Sequence, residues 1–228
     1  MPKAMAVLGS LAAVMLGAGA TPAAPPKLPP ASEFTAHVDN PWFPLEPGTR
    51  YVSVGVKDGE PARDVMTVTH RTTTIAGVPC RVVDDRLYLS GVLRERTSDW
   101  YTQDARGNVW YFGEQTAELD KHGAVTSTSG TWKAGVHGAQ PGIFMPAHPT
   151  VGRSYRQEFL RGQAEDHFKI VATLGAVKNA IVTHEWTPLE PGTLDSKIYV
   201  RGIGTVLELT LKGGNERAEL MSVTRTKR

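Results

Sequence analysis

The sequence predicts a mainly β protein: a single large curved antiparallel sheet, an open half-barrel with a long covering loop and little helix. Three observations carry this. Short runs rich in Val, Thr and Ile recur along the chain, as half-buried strands require. The 23 Gly and 16 Pro fall largely between those runs, where tight turns need them. No stretch sustains the 3.6-residue apolar period of an amphipathic helix. At 228 residues the chain suffices for one large all-β domain.

Residues 1–20 read as an export signal. Lys3 supplies the positive start, Ala4 to Ala20 an apolar core of small and aliphatic residues, and Ala18-Gly19-Ala20 a small-x-small cleavage site. Pro22, Pro25 and Pro26 follow rather than a basic stop, so a membrane anchor is not expected and no transmembrane segment is left once the signal is removed. Residues 21–33 are Pro- and Ala-rich, an extended linker. The domain is expected over residues 34–228.

Within it, the prolines of Pro41-Trp42-Phe43-Pro44 and Pro47 stiffen a leading segment whose aromatics plug one end of the core. Strands are expected over 50–57, 62–75, 80–89, 92–103, 109–119 and 124–128, each followed by a short turn, which makes an up-and-down antiparallel meander. Residues 135–152 hold His137, Pro141, Gly142, Pro146, His148 and Pro149 around Ile143-Phe144-Met145. A loop of that length without periodicity is usually functional, and its three apolar residues predict a flap tucked against an apolar surface. Strand patterns return over 153–160, 166–174, 180–187, 197–200, 205–212 and 217–226. The hexapeptide Pro-Leu-Glu-Pro-Gly-Thr occurs at 44–49 and at 188–193; its flanks differ, so a shared turn explains it.

The densest chemistry lies in residues 99–114, a hairpin turning at Ala105–Gly107. In that register Tyr101 pairs with Tyr111 and Trp100 with Phe112. One face carries Trp100, Thr102, Trp110 and Phe112, the other Asp99, Tyr101, Gln103, Val109 and Tyr111. Both faces are too aromatic for open water. One is core, and the other is covered or faces a ligand.

Several chemistries find no motif. His137, His148, His167 and His184 lack metal-site spacing, and Asp104 and Asn108 are explained by capping their own turn rather than by calcium. Asp84-Asp85 and Glu165-Asp166 each split across a strand, so neither doublet is itself an acid–base pair. There is no nucleophile elbow and no phosphate loop, and no cofactor is implied. The single Cys, Cys80, sits in an apolar strand and reads as a small buried hydrophobe. Removing residues 1–20 leaves 24 basic against 23 acidic residues, which offers no general field for nucleic acid.

At Asn40-Pro41-Trp42-Phe43-Pro44-Leu45, Gly107-Asn108-Val109-Trp110-Tyr111-Phe112-Gly113-Glu114 and Pro141-Gly142-Ile143-Phe144-Met145-Pro146-Ala147, the chain resembles a group of exported bacterial proteins of unassigned function. The resemblance runs from about Phe34 to the C-terminus and carries no catalytic residues. More distantly, signal, curved sheet and covering loop look like the lipoprotein-carrier (LolA-like) half-barrel, which implies lipid binding.

The reading favoured at this point is a non-catalytic, periplasmic or secreted binding protein for a lipid or other apolar small molecule. Trp100, Tyr101, Trp110, Tyr111, Phe112, Trp132, Phe144 and Met145 are its candidate ligand-binding residues. Two alternatives stand beside it: a hydrolase-type enzyme using Asp99, Glu114, Glu165, Asp166 and a flap histidine, and an envelope module whose interior is filled by its own side chains. Nothing in the sequence speaks to oligomeric state.

Overall fold

The structure, a computed structural model, describes residues 25–175 and 179–226; the expected signal, residues 1–20, and the start of the linker lie outside them. The strands are β1 (Phe34–Thr35), β2 (Thr49–Lys57), β3 (Glu60–Ile75), β4 (Val78–Leu89), β5 (Val92–Asp104), β6 (Val109–Leu119), β7 (Val125–Ser127) and β8 (Trp132–Lys133). They continue as β9 (Gln140–Met145), β10 (Ser154–Arg156), β11 (Glu158–Phe159), β12 (His167–Leu174), β13 (Ala180–Trp186), β14 (Leu194–Val200), β15 (Gly204–Lys212) and β16 (Arg217–Arg225). Among the described residues the one helical element is a 3-10 turn at Ala31–Glu33.

These strands form one large antiparallel sheet in the order β10-β12-β13-β14-β15-β16-β2-β3-β4-β5-β6-β9-β11. Two meanders are joined where the last strand, β16, pairs with the first long one, β2, from Arg217↔Val56 to Arg225↔Thr49. The free ends of the two meanders are drawn together by one short segment. β10 pairs with β12, and β11, one residue further along, pairs with β9. The expected half-barrel is therefore nearly a closed barrel, and closure removes most of the unpaired edge that an open sheet would leave.

Closure demands a glycine. At Gly142 of β9 an added Cβ would lie 2.1 Å from the Arg156 carbonyl oxygen and 2.6 Å from that of Gln157, far inside contact distance, so only a residue without a side chain lets the closing segment cross there. The stretch 135–152 is thus not a flap. Ile143 and Met145 share a buried face, Phe144 points to the other, and β9 pairs with β6 through Trp110↔Ile143 and Val109↔Met145. Pro141 and Gly142 disguise the strand by breaking the composition expected of one.

The central hairpin forms with the expected turn: Gly107 has φ +84° and its amide donates to the Asp104 carbonyl at 2.9 Å. Asp104 accepts from the amides of Arg106 and Asn108 at 2.9 Å, and from Asn108 Nδ2 and Trp110 Nε1 at 2.8 Å. Tyr101 does face Tyr111, but Asp99 pairs with Glu114, so Phe112 and Gly113 together oppose Trp100. This bulge corrects the expected Trp100–Phe112 pairing. It forms at Gly113, where φ is +134° and a Cβ would meet the Trp132 carbonyl oxygen at 2.4 Å.

The leading segment plugs one barrel end. Phe43 packs on Tyr101 and Phe144 with ring centroids 5.3 and 4.5 Å apart, and Asn40 fastens the segment to the hairpin turn through Nδ2 to the Gly107 carbonyl at 2.8 Å. In both copies of the repeated hexapeptide the Thr amide donates to the Glu carbonyl three residues earlier, at 3.1 Å, and the chain then enters a strand. The repeat is a shared turn.

Candidate functional site

Strand alternation divides the hairpin's residues between two environments. Trp110 and Phe112 point out of the barrel, where Phe34 caps both edge-on at 5.8 and 5.6 Å; with Met145 they are buried core. Trp100 lies on the same side, half-buried beneath the Lys133 ammonium. Tyr101 and Tyr111 point inward and stack at 4.8 Å. Phe144 meets both edge-on, and Trp132 meets Tyr111 edge-on. The eight sequence-derived residues thus fall into two clusters on opposite sides of the sheet. Trp110, Phe112 and Met145 do not reach the interior.

The barrel interior opens into several chambers, three of which meet around Glu114. One, of about 280 Å³, runs from the Phe43 plug past Met66, Tyr101, Phe144 and Leu220. A middle chamber of about 150 Å³ is bounded by Tyr101, Tyr111 and Phe144 together with Gln157 and Glu158. A third of about 350 Å³ lies toward Trp186 and Thr193. Glu114 and Lys197 line all three.

The walls are acidic. The chamber behind the Phe43 plug carries Asp64, Asp85, Glu95, Asp99, Glu114 and Glu208 against one ammonium, Lys197. Glu158, Asp166 and Glu185 follow in the middle one. A chain of formal net charge +2 therefore keeps much of its acid inside. Lys197 is already engaged, its Nζ 3.1 Å from Glu185 and 3.3 Å from Glu208; burial alone would lower its pKa, but these two carboxylates hold it well above the usual range.

At the junction, Tyr111 Oη donates to Asp99 Oδ1 at 2.6 Å and lies 3.1 Å from Glu114 Oε2. One hydroxyl proton cannot serve two carboxylates, so the second contact is satisfied when Glu114 carries a proton and donates it to Tyr111. The electrostatics agree. Burial pushes Glu114 up to about 7, and burial with the Glu114 charge raises Asp99 well above the usual carboxylate range. Asp64 is raised too, by burial and by its neighbour Asp85. Glu158 is 7% exposed, and its Oε2 has no hydrogen-bond partner among the described residues.

Both acidic doublets split, the first because its residues are neighbours on β4, the second in the loop just before β12. Asp85 faces inward, while Asp84 takes bonds from Arg71 and Ser98. Asp166 lines the interior, while Glu165 caps the Gly162 amide. His137 and His148 are exposed and His167 stacks on Trp186. Among the described residues no three His, Cys, Asp or Glu side chains are grouped closely enough to hold a metal ion. Cys80 is fully buried, its thiol pushed up to about 12 mainly by desolvation. The signal missed in sequence was inward position. Asp64, Glu95, Glu158, Glu185 and Glu208 each sit singly in a strand, with no adjacent acid to mark them.

No protein-family profile matches the chain, and no curated protein sequence matches it. Among solved structures, it is similar to one provisionally described as an exported protein with YmcC-like fold from Bacteroides fragilis, at 13% identity and TM-score 0.43, covering 81% of this chain and 99% of that one. Another is provisionally described as a lipoprotein from Parabacteroides distasonis, at 10% identity and TM-score 0.39, covering 80% of this chain and 98% of that one. No described helix is long and apolar enough to cross a membrane.

Proposed function

We propose that this is an exported, non-catalytic binding protein whose barrel interior receives a lipid or other small molecule with an apolar body. The observation that carries the reading is the chamber of about 280 Å³ behind the Phe43 plug. Filled cores leave few voids larger than a water molecule, whereas ligand sites are concave, partly apolar and furnished with a few convergent polar groups. Phe43, Met66, Tyr101, Phe144 and Leu220 offer the apolar wall. Export rests on the signal-like residues 1–20, and the lipoprotein-carrier likeness is one precedent for a curved sheet used this way. Titration with Nile red, a neutral apolar dye, tests the reading. Saturable, stoichiometric fluorescence enhancement supports it; a flat titration of folded protein sinks it.

One observation favours an enzyme as the second reading. Asp99 and Glu114 share the Tyr111 hydroxyl yet differ in exposure, and two carboxyls in unequal environments are the usual arrangement for acid–base division of labour. Loss of a measured hydrolysis in Glu114→Gln, with Nile red uptake retained, would decide for it.

A further inference from the structure

The interior carries more acid than any purely apolar guest needs. Six carboxyl groups and one ammonium line the chamber behind the Phe43 plug, and that ammonium is held by Glu185 and Glu208. Among the described residues Lys197 is the one Lys or Arg lining the chambers that Asp99, Glu114 and Glu158 face; Lys57 lies in the adjoining chamber, beside Glu95. The middle chamber adds a second, independent observation. Glu158 is 7% exposed and lines that chamber; among the described residues its Oε2 makes no hydrogen bond within 3.5 Å, although Trp132 Nε1, also without a partner, lies near enough to oppose the rise in its pKa. A buried carboxyl oxygen left unmet is costly, and a donor arriving with a guest would satisfy it.

The same chamber is faced by the Tyr101, Tyr111 and Phe144 rings. Aromatic faces beside carboxylates attract an organic ammonium by two means, ring quadrupole and charge-assisted hydrogen bond. Carboxylates spread singly over β4, β5, β6 and β11, with no tight group of three, suit a bulky organic cation better than a bare metal ion.

We propose that the guest is an organic cation: a primary or secondary amine on an apolar body. Its ammonium sits in the middle chamber that Glu114 and Glu158 both line, and its apolar part lies toward Phe43 and Leu220. This assignment rests on the binding reading above and narrows it. It is consistent with the proton inventory: burial with the Asp166 and Glu114 charges raises Glu158 well above its ordinary value, and an adjacent ammonium would favour its charged form.

The test is calorimetric titration of the purified protein with three probes of equal chain length: octylammonium, octanol and octanoate, all below micellar concentration. The expected result is that octylammonium binds about tenfold or more tightly than either other probe, the margin of one charge-assisted bond in a screened site. Glu158→Gln and Glu114→Gln, separately, should each reduce that margin severalfold; the second variant serves if the first does not fold. Equal or tighter binding of octanol or octanoate overturns the organic-cation assignment while leaving the binding reading in place. Binding of none of the three overturns both. A wild-type preference that persists in both folded variants overturns the placement of the ammonium at Glu114 and Glu158.

Discussion

Asp99 and Glu114 stand directly opposite each other across the β5–β6 ladder, and the hydroxyl of Tyr111 bridges their carboxyl groups at 2.6 and 3.1 Å. Two acids brought this close on an inward face cannot both ionise cheaply. The relationship arises from the bulge at Phe112–Gly113. Without it Tyr101–Tyr111 pairing would set Asp99 opposite Gly113, and Glu114 would point out of the barrel.

Stability should therefore fall as pH rises. Glu114 has an ordinary pKa of 4.5 and is lifted to about 7 by burial, with Glu95, Asp166 and Asp85 adding to it and Tyr111 opposing. Asp99, Glu158, Glu185 and Lys197 also border its chambers. A group raised in the folded state contributes stability that is complete below its unfolded value and lost through its folded value. The loss should run from about pH 5 to about pH 8 and amount to about 1–3 kcal/mol for Glu114 once screening by cavity water is counted. Urea unfolding across that range should show it, and Glu114→Gln should flatten the slope.

Trp110→Ala should be a stability mutant. The ring is buried, capped by Phe34, and bonded through Nε1 to Asp104. Truncation leaves a cavity and removes one of the four bonds to Asp104, at about 3–5 kcal/mol. The half-buried Phe144, facing the chambers, should behave differently. Phe144→Ala should cost about 1–2 kcal/mol and weaken Nile red uptake several-fold. Paired urea and dye titrations check both.

Gly142→Ala tests closure. A methyl group there collides with the Arg156 carbonyl, so the segment carrying β10 and β11 must move away, at about 1–3 kcal/mol. Hydrogen exchange should lose protection at residues 140–145 and 154–159 while β3 and β4 keep theirs.

Cys80 should be silent in the native state. With no exposed surface and its thiol pushed up to about 12 by burial, it lacks both access and thiolate. Iodoacetamide should label it in urea and leave the folded protein unlabelled.

The strand meander, the Gly107 turn and the Phe43 plug were legible in the sequence because each has a local cause: alternation, a positive φ, a run of prolines. The barrel's closure was not. It depends on residues 154–159 reaching two edges at once, and neither edge announces its partner locally. β9 was hidden by Pro141 and Gly142, the second of which is there for the crossing itself. The interior acids escaped for a related reason. Asp64, Glu95, Glu158 and Glu208 are far apart in sequence, on β3, β5, β11 and β15, and only the pairing of the whole sheet points them at the barrel interior. Among the aromatics the hairpin faces were separated correctly, but sequence alone did not tell which face looked inward. Tyr101 and Tyr111 do, while Trp110 and Phe112 do not.

Native mass spectrometry of the protein isolated from the cells that make it decides whether the barrel interior is a chamber for a guest. A guest gives a discrete mass above that of the polypeptide, released on activation as a compound with an apolar body and a basic nitrogen. A spectrum showing the polypeptide alone, from folded protein that also fails to take up Nile red or octylammonium, would contradict that role for the interior.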